Sequence, residues 1–362
     1  MFTKSPLKYL LCLVLAWACQ QKDAPANYQA LPAESSAVAA VDISRLPEIE
    51  QTNPVFFNRD GEPQEFLEIL KANGVNTIRL RVWVNPANGH SSLSEVNSFS
   101  QTLRQMGFKI WLSVHYSDTW ADPGQQETPL IWQQATFEEL KGIIRGYSLQ
   151  VARLIKPEYF QVGNEINDGF LHPYGRLSSQ PQQFKALAAE AISGVRQGAP
   201  QSRIILHYAG LSGAQWFFNT VDSLDYDIMG LSYYPIWHGK DLELLKNTMD
   251  SLTENFIRGI IIAETAYPFT LNWNDNTNNI VGLGEQLILP QYPASAQGQA
   301  DFVKEIRKIS AQVKHGMGFC YWGAELIAWK GPLSTEASPW ENQALFDFNN
   351  KELPVLEQFN NN

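Results

Sequence analysis

The chain is poor in cysteine: there are three in 362 residues, and two of them, Cys12 and Cys19, fall in the first twenty positions. That leaves Cys320 alone in the body of the protein, which excludes an intrachain disulfide there, so stability must come from the core and any bound metal. Cys320 lies in the apolar run GMGFCYWGAE (316–325), which suits an inert, buried thiol rather than a nucleophile. Basic charge is also short, with 27 Lys and Arg against 37 Asp and Glu and a net charge of −10. A nucleic acid or an anionic membrane surface would call for a basic face, so the charge argues against both as partners. There is no glycine-rich phosphate loop, no His/Cys metal cluster and no G-x-S-x-G elbow, so phosphoryl, metal-dependent and serine chemistry have no footing.

The longest apolar run, YLLCLVLAWAC (9–19), is too short to span a bilayer. Preceded by Lys4 and Lys8, it has the layout of an export signal. Its Ala18-Cys19 end resembles a bacterial lipoprotein signal, cleaved before Cys19 with acylation of the thiol. Ala16 and bulky Trp17 depart from that pattern, and an ordinary secretory peptide is the alternative. Gln20-Gln21-Lys22-Asp23 resembles the polar signal that directs some lipoproteins to the cell surface. The expectation is a signal peptide over 1–18, a flexible Gln/Ala/Pro/Ser tether over 19–36 and a single catalytic domain over 37–362. The protein is then an exported monomer on the outer membrane that meets the membrane only through a lipid anchor.

Past the tether, short β-type runs alternate with longer helical ones. The strand candidates are 39–44, 76–84, 109–116, 159–165, 202–209, 226–235, 259–268 and 316–325. Between them lie amphipathic stretches such as TFEELKGIIRGYSLQVARLI and QADFVKEIRKISAQVKHG. Eight such units predict an α/β fold, a (β/α)₈ TIM barrel, in one domain. In such barrels the chemistry sits where strands end. Those ends carry Arg79 and Arg81, His115, Tyr116 and Asp118, Asn164 and Glu165, His207, Tyr233, Tyr234, Trp237 and His238, Glu264, and finally Trp322 and Glu325.

Glu165 and Glu264 each close a strongly apolar strand, the fourth and the seventh. Two carboxyl groups facing one cavity are the minimum equipment for cleaving a glycosidic bond, one protonated and one ionised. The alternative, that each is buried against an arginine as a structural ion pair, weakens when two such ends fall on the right strands. Eleven Trp and thirteen Tyr supply flat faces for sugar rings as well as for the core. Trp83, Trp120 and Trp237 stand near the same face, whereas Trp111 and Trp132 suit packing. His115 and His207 are open to either a substrate contact or a structural role.

The strings VDISRLPEIE, GVNTIRLRVWVNP, HYSDTWADPGQQ, QVGNEINDG, GLSYYPIWHG, AETAYPF, YPASAQGQ and ENQALFDF, spread from 41 to 348, resemble glycoside hydrolase family 53, the endo-β-1,4-galactanases of clan A. The resemblance implies endo-acting, retaining cleavage of galactan and of type I arabinogalactan, the side chains of pectin, with no cofactor needed for the chemistry. It makes Glu165 the acid/base and Glu264 the nucleophile, and has Asn164 hold the sugar 2-hydroxyl. An arginine of strand two would keep Glu264 ionised. NTIR points to Arg79, but period two puts Arg81 on the same face. Tyr234 would bond the nucleophile, and Trp322 would floor the site beside a cis peptide. Asp118, Trp120, Trp237, His115 and His207 are further substrate-contact candidates. Another clan A β-glycanase, such as a mannanase, and a non-catalytic surface glycan-binding lipoprotein are the rival readings.

LNWNDNTNNIVG places Asn272, Asn274, Asn276 and Asn278 at alternate positions around Asp275. Alternating oxygen side chains in a loop suit calcium. Bacterial members of the family tie this loop to the next with such an ion, and Ser338 and Glu341 are the residues the second loop would offer. A plain Asn-rich turn is the alternative.

Overall fold

A computed structural model describes residues 37–360. The expected signal peptide, Cys19 and the 19–36 tether lie outside the described residues. Eight parallel strands close into a barrel in sequence order. They are β1 (Val38–Asp42), β2 (Thr77–Val82), β3 (Lys109–Val114), β4 (Tyr159–Val162), β5 (Arg203–Ala209), β6 (Ile228–Ser232), β7 (Gly259–Thr265) and β8 (Gly316–Trp322).

Each of the first seven strands is followed by a helix: α1 (Phe66–Ala72), α2 (Leu93–Gln105), α3 (Phe137–Ile155), α4 (Pro181–Gly198), α5 (Ala214–Val221), α6 (Leu242–Asn255) and α7 (Ala296–Gln312). A 3₁₀ segment, Pro354–Phe359, follows β8 and packs on α7. The helix starts are written locally. At α3, for example, Thr136 accepts from the Glu139 N–H while Glu139 accepts from the Thr136 N–H, which satisfies two otherwise orphaned donors. No helix among the described residues is long and apolar enough to cross a membrane.

Two apolar layers hold the barrel. The outward strand residues, among them Ile78, Leu80, Leu112, Val114 and Phe160, pack under the helices. Inside the barrel, Val38, Ala40, Trp111, Tyr159, Ile205, Ile228, Ile261, Ala263 and Cys320 form a separate plug. Trp111 is fully buried in it, and its loss costs about 3–5 kcal/mol by the usual cavity scale. Cys320 is fully buried as expected, and burial pushes its thiol well above the ordinary range.

Continuing the inward parity one step beyond this plug gives Asp42, Arg79, Ser113, Gln161, His207, Ser232 and Trp322. The interior therefore turns from apolar to polar toward the C-terminal ends. Glu264 would break that parity, because Ala263 already points inward. A bulge between β6 and β7 shifts the register so that Ser232 pairs with Glu264. Such bulges re-aim a side chain, and this one turns the carboxylate into the barrel mouth.

Candidate active site

A cleft of about 540 Å³ opens at the C-terminal face. Its lining includes Arg79, Arg81, His115, Trp120, Asn164, Glu165, Tyr234, Trp237, Glu264, Trp322 and Trp340. Strand four does not run on to Glu165. It stops at Val162 because Gly163 turns at φ +75°, where a Cβ would meet Ile166 Cγ2 at 2.4 Å. Glu165 itself is held at φ +48°. A non-glycine residue in the left-handed region costs on the order of 1–3 kcal/mol, strain of the kind that concentrates at working sites.

Glu165 keeps some access from the cleft, whereas Glu264 is buried. One oxygen of each, with one nitrogen of His207, lie within 4.8 Å of one another. The two carboxyl groups have different surroundings. Glu264 Oε1 pairs with Arg79 Nη2 at 2.8 Å, and its Oε2 accepts from Tyr234 O–H at 3.0 Å. Glu165 has no cation in contact among the described residues; its Oε1 accepts from Ser232 O–H at 2.5 Å. Burial, and then the charge on Glu264, push the Glu165 carboxyl up to about 8. Burial also raises Glu264, but Arg79 and Tyr234 pull against it. Of two close carboxyls, the one bonded to the guanidinium yields its proton first, so Glu165 keeps the shared proton and Glu264 carries the charge.

Arg79 resolves the choice between the strand-two arginines. Buried to 1% exposure, it reaches Glu264, Asp42 (Nη1 to Oδ2, 2.8 Å) and Asn164 (Nη2 to Oδ1, 2.8 Å). Arg81 faces the same way but lies one layer nearer the mouth. It is stacked between Trp83 (4.4 Å) and Trp120 (4.1 Å) and donates from Nε to Ser91 Oγ at 2.9 Å.

Asn164 Nδ2 donates to the Ala121 carbonyl at 2.9 Å, which fixes the amide at the edge of the cleft. His115 lines the cleft, with Nδ1 accepting from Trp83 Nε1–H (3.3 Å) and the Ala121 N–H (3.2 Å). Four tryptophans make one wall: Trp120 contacts Trp322 (5.9 Å between centroids), Trp322 contacts Trp340 (4.7 Å), and Trp340 contacts Trp237 (6.0 Å).

Several expectations are corrected. His207 does not touch the cleft: it is fully buried and both ring nitrogens are spent, Nε2 on Ser232 and Nδ1 on Gln161. The same bonds leave it no lone pair for a metal between the glutamates. Asp118 is a loop tie rather than a substrate contact, accepting from the Asn85 N–H (3.0 Å) and the Leu130 N–H (2.8 Å). Trp83 is buried against Arg81. The peptide after Trp322 is not cis. The cis bonds among the described residues are His172–Pro173 and Leu289–Pro290, and Gly323 at φ +78° makes that turn.

The alternating asparagines also fall on the wrong side. Asn272, Asn276 and Asn278 are exposed and Asn274 is half-buried, whereas Asp275 and Glu341 are buried. Ser338 is buried too, but its Oγ accepts from the Trp340 N–H at 3.2 Å. Glu341 Oε1 accepts from the Asn274 N–H at 2.6 Å, which joins the two loops. Asp275 Oδ2, Asn279 Oδ1 and Glu341 Oε2 are buried with no hydrogen-bond partner among the described residues. Asp275 acts on Glu341 by its charge and Asn279 through its side-chain amide, so these oxygens belong to one cluster.

Sequence reasoning passed over four residues that the site uses. Asp42 and Ser232 end strands one and six, but the expected runs, 39–44 and 226–235, carry on past both, so the strand-end rule overshot them. Gln161 is one turn of parity below the mouth. Trp340 sits in a loop and left no periodic signal. Glu325 was noted without a role. It is buried, accepts from the Arg45 N–H at 2.9 Å, and leaves Oε2 unpartnered beside the cleft.

A closed (β/α)₈ barrel with an unequal pair of glutamates under a tryptophan wall defines a glycoside hydrolase. Within that class the chain belongs to glycosyl hydrolase family 53, whose model matches residues 38–359. It is 32% identical to arabinogalactan endo-beta-1,4-galactanase A of Aspergillus niger over 82% of this chain and 89% of that one. With endo-beta-1,4-galactanase of Bacillus subtilis (strain 168) the identity is 28%, over 89% of this chain and 85% of the relative. Among solved structures, the Ignisphaera aggregans GH53 catalytic domain superposes with a TM-score of 0.84 at 33% identity, covering 91% of this chain and 96% of the other.

Proposed function

We propose that the protein hydrolyses β-1,4-galactosidic bonds within galactan and type I arabinogalactan, with retention of anomeric configuration. The observation that carries the reading is the pairing of Glu165 and Glu264, one protonated by burial and the other bonded to Arg79. Their oxygens approach within 4.8 Å, which favours a direct attack, because inverting enzymes keep the two groups about 6.5–9.5 Å apart to admit a water.

In the first step the Glu264 carboxylate bonds the anomeric carbon while Glu165 gives its proton to the departing glycosidic oxygen. In the second, Glu165, now a carboxylate, takes a proton from the water that attacks the same carbon and releases Glu264. Arg79 and Tyr234 hold the Glu264 oxygens, and Asn164 is placed to bond the sugar 2-hydroxyl. Trp322 and its neighbours offer stacking faces. The galactanase names of the aligned relatives support galactan as the substrate. Linear β-1,4-galactan tests the reading. Wild type should release galacto-oligosaccharides from it and not from mannan, and Glu165→Ala and Glu264→Ala should not. Mannan cleavage would favour the other clan A specificity, and tight glycan binding without cleavage the binding-protein reading.

No cofactor takes part in these steps. We propose a structural calcium instead, at the loop junction after β7 and β8. The unpartnered buried oxygens of Asp275, Asn279 and Glu341 fit a hard cation that takes oxygen ligands. The ion would neutralise that cluster and hold the loop that carries Trp340. The N-terminal pattern supports export as a surface lipoprotein acylated at Cys19, and a Cys19→Ser variant that loses labelled palmitate would test it.

A further inference from the structure

The acid of a glycosidase has two oxygens, and only one can face the leaving group. Hydrogens with no freedom fix which one it is. Arg79 Nε and Nη2 and Trp111 Nε1 all donate to Gln161 Oε1, at 3.3, 3.2 and 3.2 Å. Three fixed donors on one amide atom settle its orientation, so it is Gln161 Nε2, a donor shared with Ser113 Oγ, the Gly163 carbonyl and Asn164 Oδ1, that faces His207 Nδ1 at 3.0 Å. The Glu165 backbone N–H points at the same Nδ1, at 3.4 Å. Asn164 Oδ1 also lies 3.2 Å from Nδ1, but it already accepts from Arg79 Nη2, and a ring nitrogen faced by two N–H donors is unprotonated, which puts the His207 proton on Nε2. Burial, with the charge of Arg79 nearby, keeps the ring neutral. Nε2–H therefore donates to Ser232 Oγ at 2.8 Å, and Ser232, with its oxygen occupied, turns its own hydrogen to Glu165 Oε1 at 2.5 Å.

We propose that Ser232 and His207 are positioning residues that hold the acidic proton of Glu165 on Oε2, through a one-way hydrogen-bond chain that begins at Arg79. The proposal rests on the reading of Glu165 as the acid. Gln161, His207 and Ser232 are all at 0% exposure, so water does not compete for these bonds. Arg79 thereby acts on both carboxyl groups, on Glu264 by contact and on Glu165 through three side chains. With Oε1 committed as an acceptor, Oε2 is the oxygen that gives the proton to the glycosidic oxygen. In the second step it takes one from water. The Ser232 hydrogen bond also favours the carboxylate that exists between the two steps. The other charged or titratable groups that act on Glu165 are Glu264 from β7, Arg79 from β2, Asp122 from the loop after β3 and Tyr234 from the end of β6.

Ser232→Ala breaks the chain at its last link. With linear galactan, kcat should fall about tenfold at unchanged KM, since proton transfer is worth roughly 10²–10⁴-fold in all and only its direction is disturbed. The alkaline limb of kcat/KM should move up, because a hydrogen bond that favours the carboxylate is gone. The pre-steady-state burst from a 2,4-dinitrophenyl β-galactobioside, whose leaving group needs no proton, should keep the wild-type rate. Equal losses on both substrates, or an unmoved pH profile, would overturn the proposal. Glu165→Ala in parallel separates the two readings. If it loses galactan cleavage but keeps the burst while Ser232→Ala shows no selectivity, the relay alone fails. If Glu165→Ala is itself unselective, the acid assignment fails. Nitrogen-15 NMR of the wild-type imidazoles requires no variant. His207 should appear as the neutral Nε2–H tautomer, and an Nδ1–H tautomer would overturn the chain.

Discussion

Replacing Arg79 with methionine keeps much of the stem's volume and removes the charge that two buried carboxylates share. Asp42 and Glu264 each lie 2.8 Å from its guanidinium, and all three side chains are almost fully buried. Removing one partner of a buried pair costs about 3–5 kcal/mol, because the remaining charge has neither water nor a counter-ion. Here two anions are stranded, so the upper part of that range applies, a large share of the roughly 5–15 kcal/mol that stabilises a typical domain. Catalysis suffers separately. Without the cation Glu264 is harder to ionise, so the acid limb of the kcat/KM profile on galactan should move to higher pH. At neutral pH the rate should fall about 10²–10³-fold, the scale for losing one preorganised charge contact. Asp42→Asn added to Arg79→Met should recover stability, since one stranded charge is gone, but little activity, since Glu264 still lacks its partner. Chemical denaturation and pH–rate profiles on the three proteins read both effects. An Arg79→Met variant within about 0.5 kcal/mol of wild type, the ordinary range for a surface change, or with an unmoved acid limb, would refute the reasoning.

Three further outcomes follow from the same geometry. Glu325 is pushed up from 4.5 to about 8 by burial and by Asp42, so its ionisation costs the folded state stability as pH rises through that window. Glu325→Gln should therefore match wild type near pH 4 and exceed it at pH 8 by on the order of 3–5 kcal/mol, and equal denaturation curves at both pH values would refute this. Chelation should lower Tm, with calcium restoring it, whereas Glu341→Ala should respond to neither; a chelator-insensitive wild type would count against the loop cation. Trp237, 54% exposed at the end of the tryptophan wall, should when changed to Ala raise KM for galactan several-fold and shift the early product sizes without lowering Tm.

The barrel was legible because each strand combines an apolar start with a polar end, and all eight runs fall on strands. The ends were read too long for a local reason. At 163–165 the chain leaves the ladder through Gly163 and the left-handed Glu165, so the residues proposed to do the chemistry are those least like a strand. Period two could not separate Arg79 from Arg81, since both face inward; depth along the barrel does, and depth is set by register between strands. The bulge that turns Glu264 inward has no signature in GIIIAETAYP, whose alternation taken alone would point it away. The asparagine run does not by itself separate a ligand set from a plain turn, because exposed turn residues also alternate and their composition does not show which side is buried. Ser232 and Gln161 look like ordinary filler until the donors around them are traced.

The anomer of the first product tests direct attack by Glu264 with Glu165 as the acid. Proton NMR during the first moments of β-1,4-galactan cleavage, before mutarotation, should show the newly formed reducing ends as the β-anomer. Initial formation of the α-anomer would mean that water attacks in a single displacement, and would contradict the account.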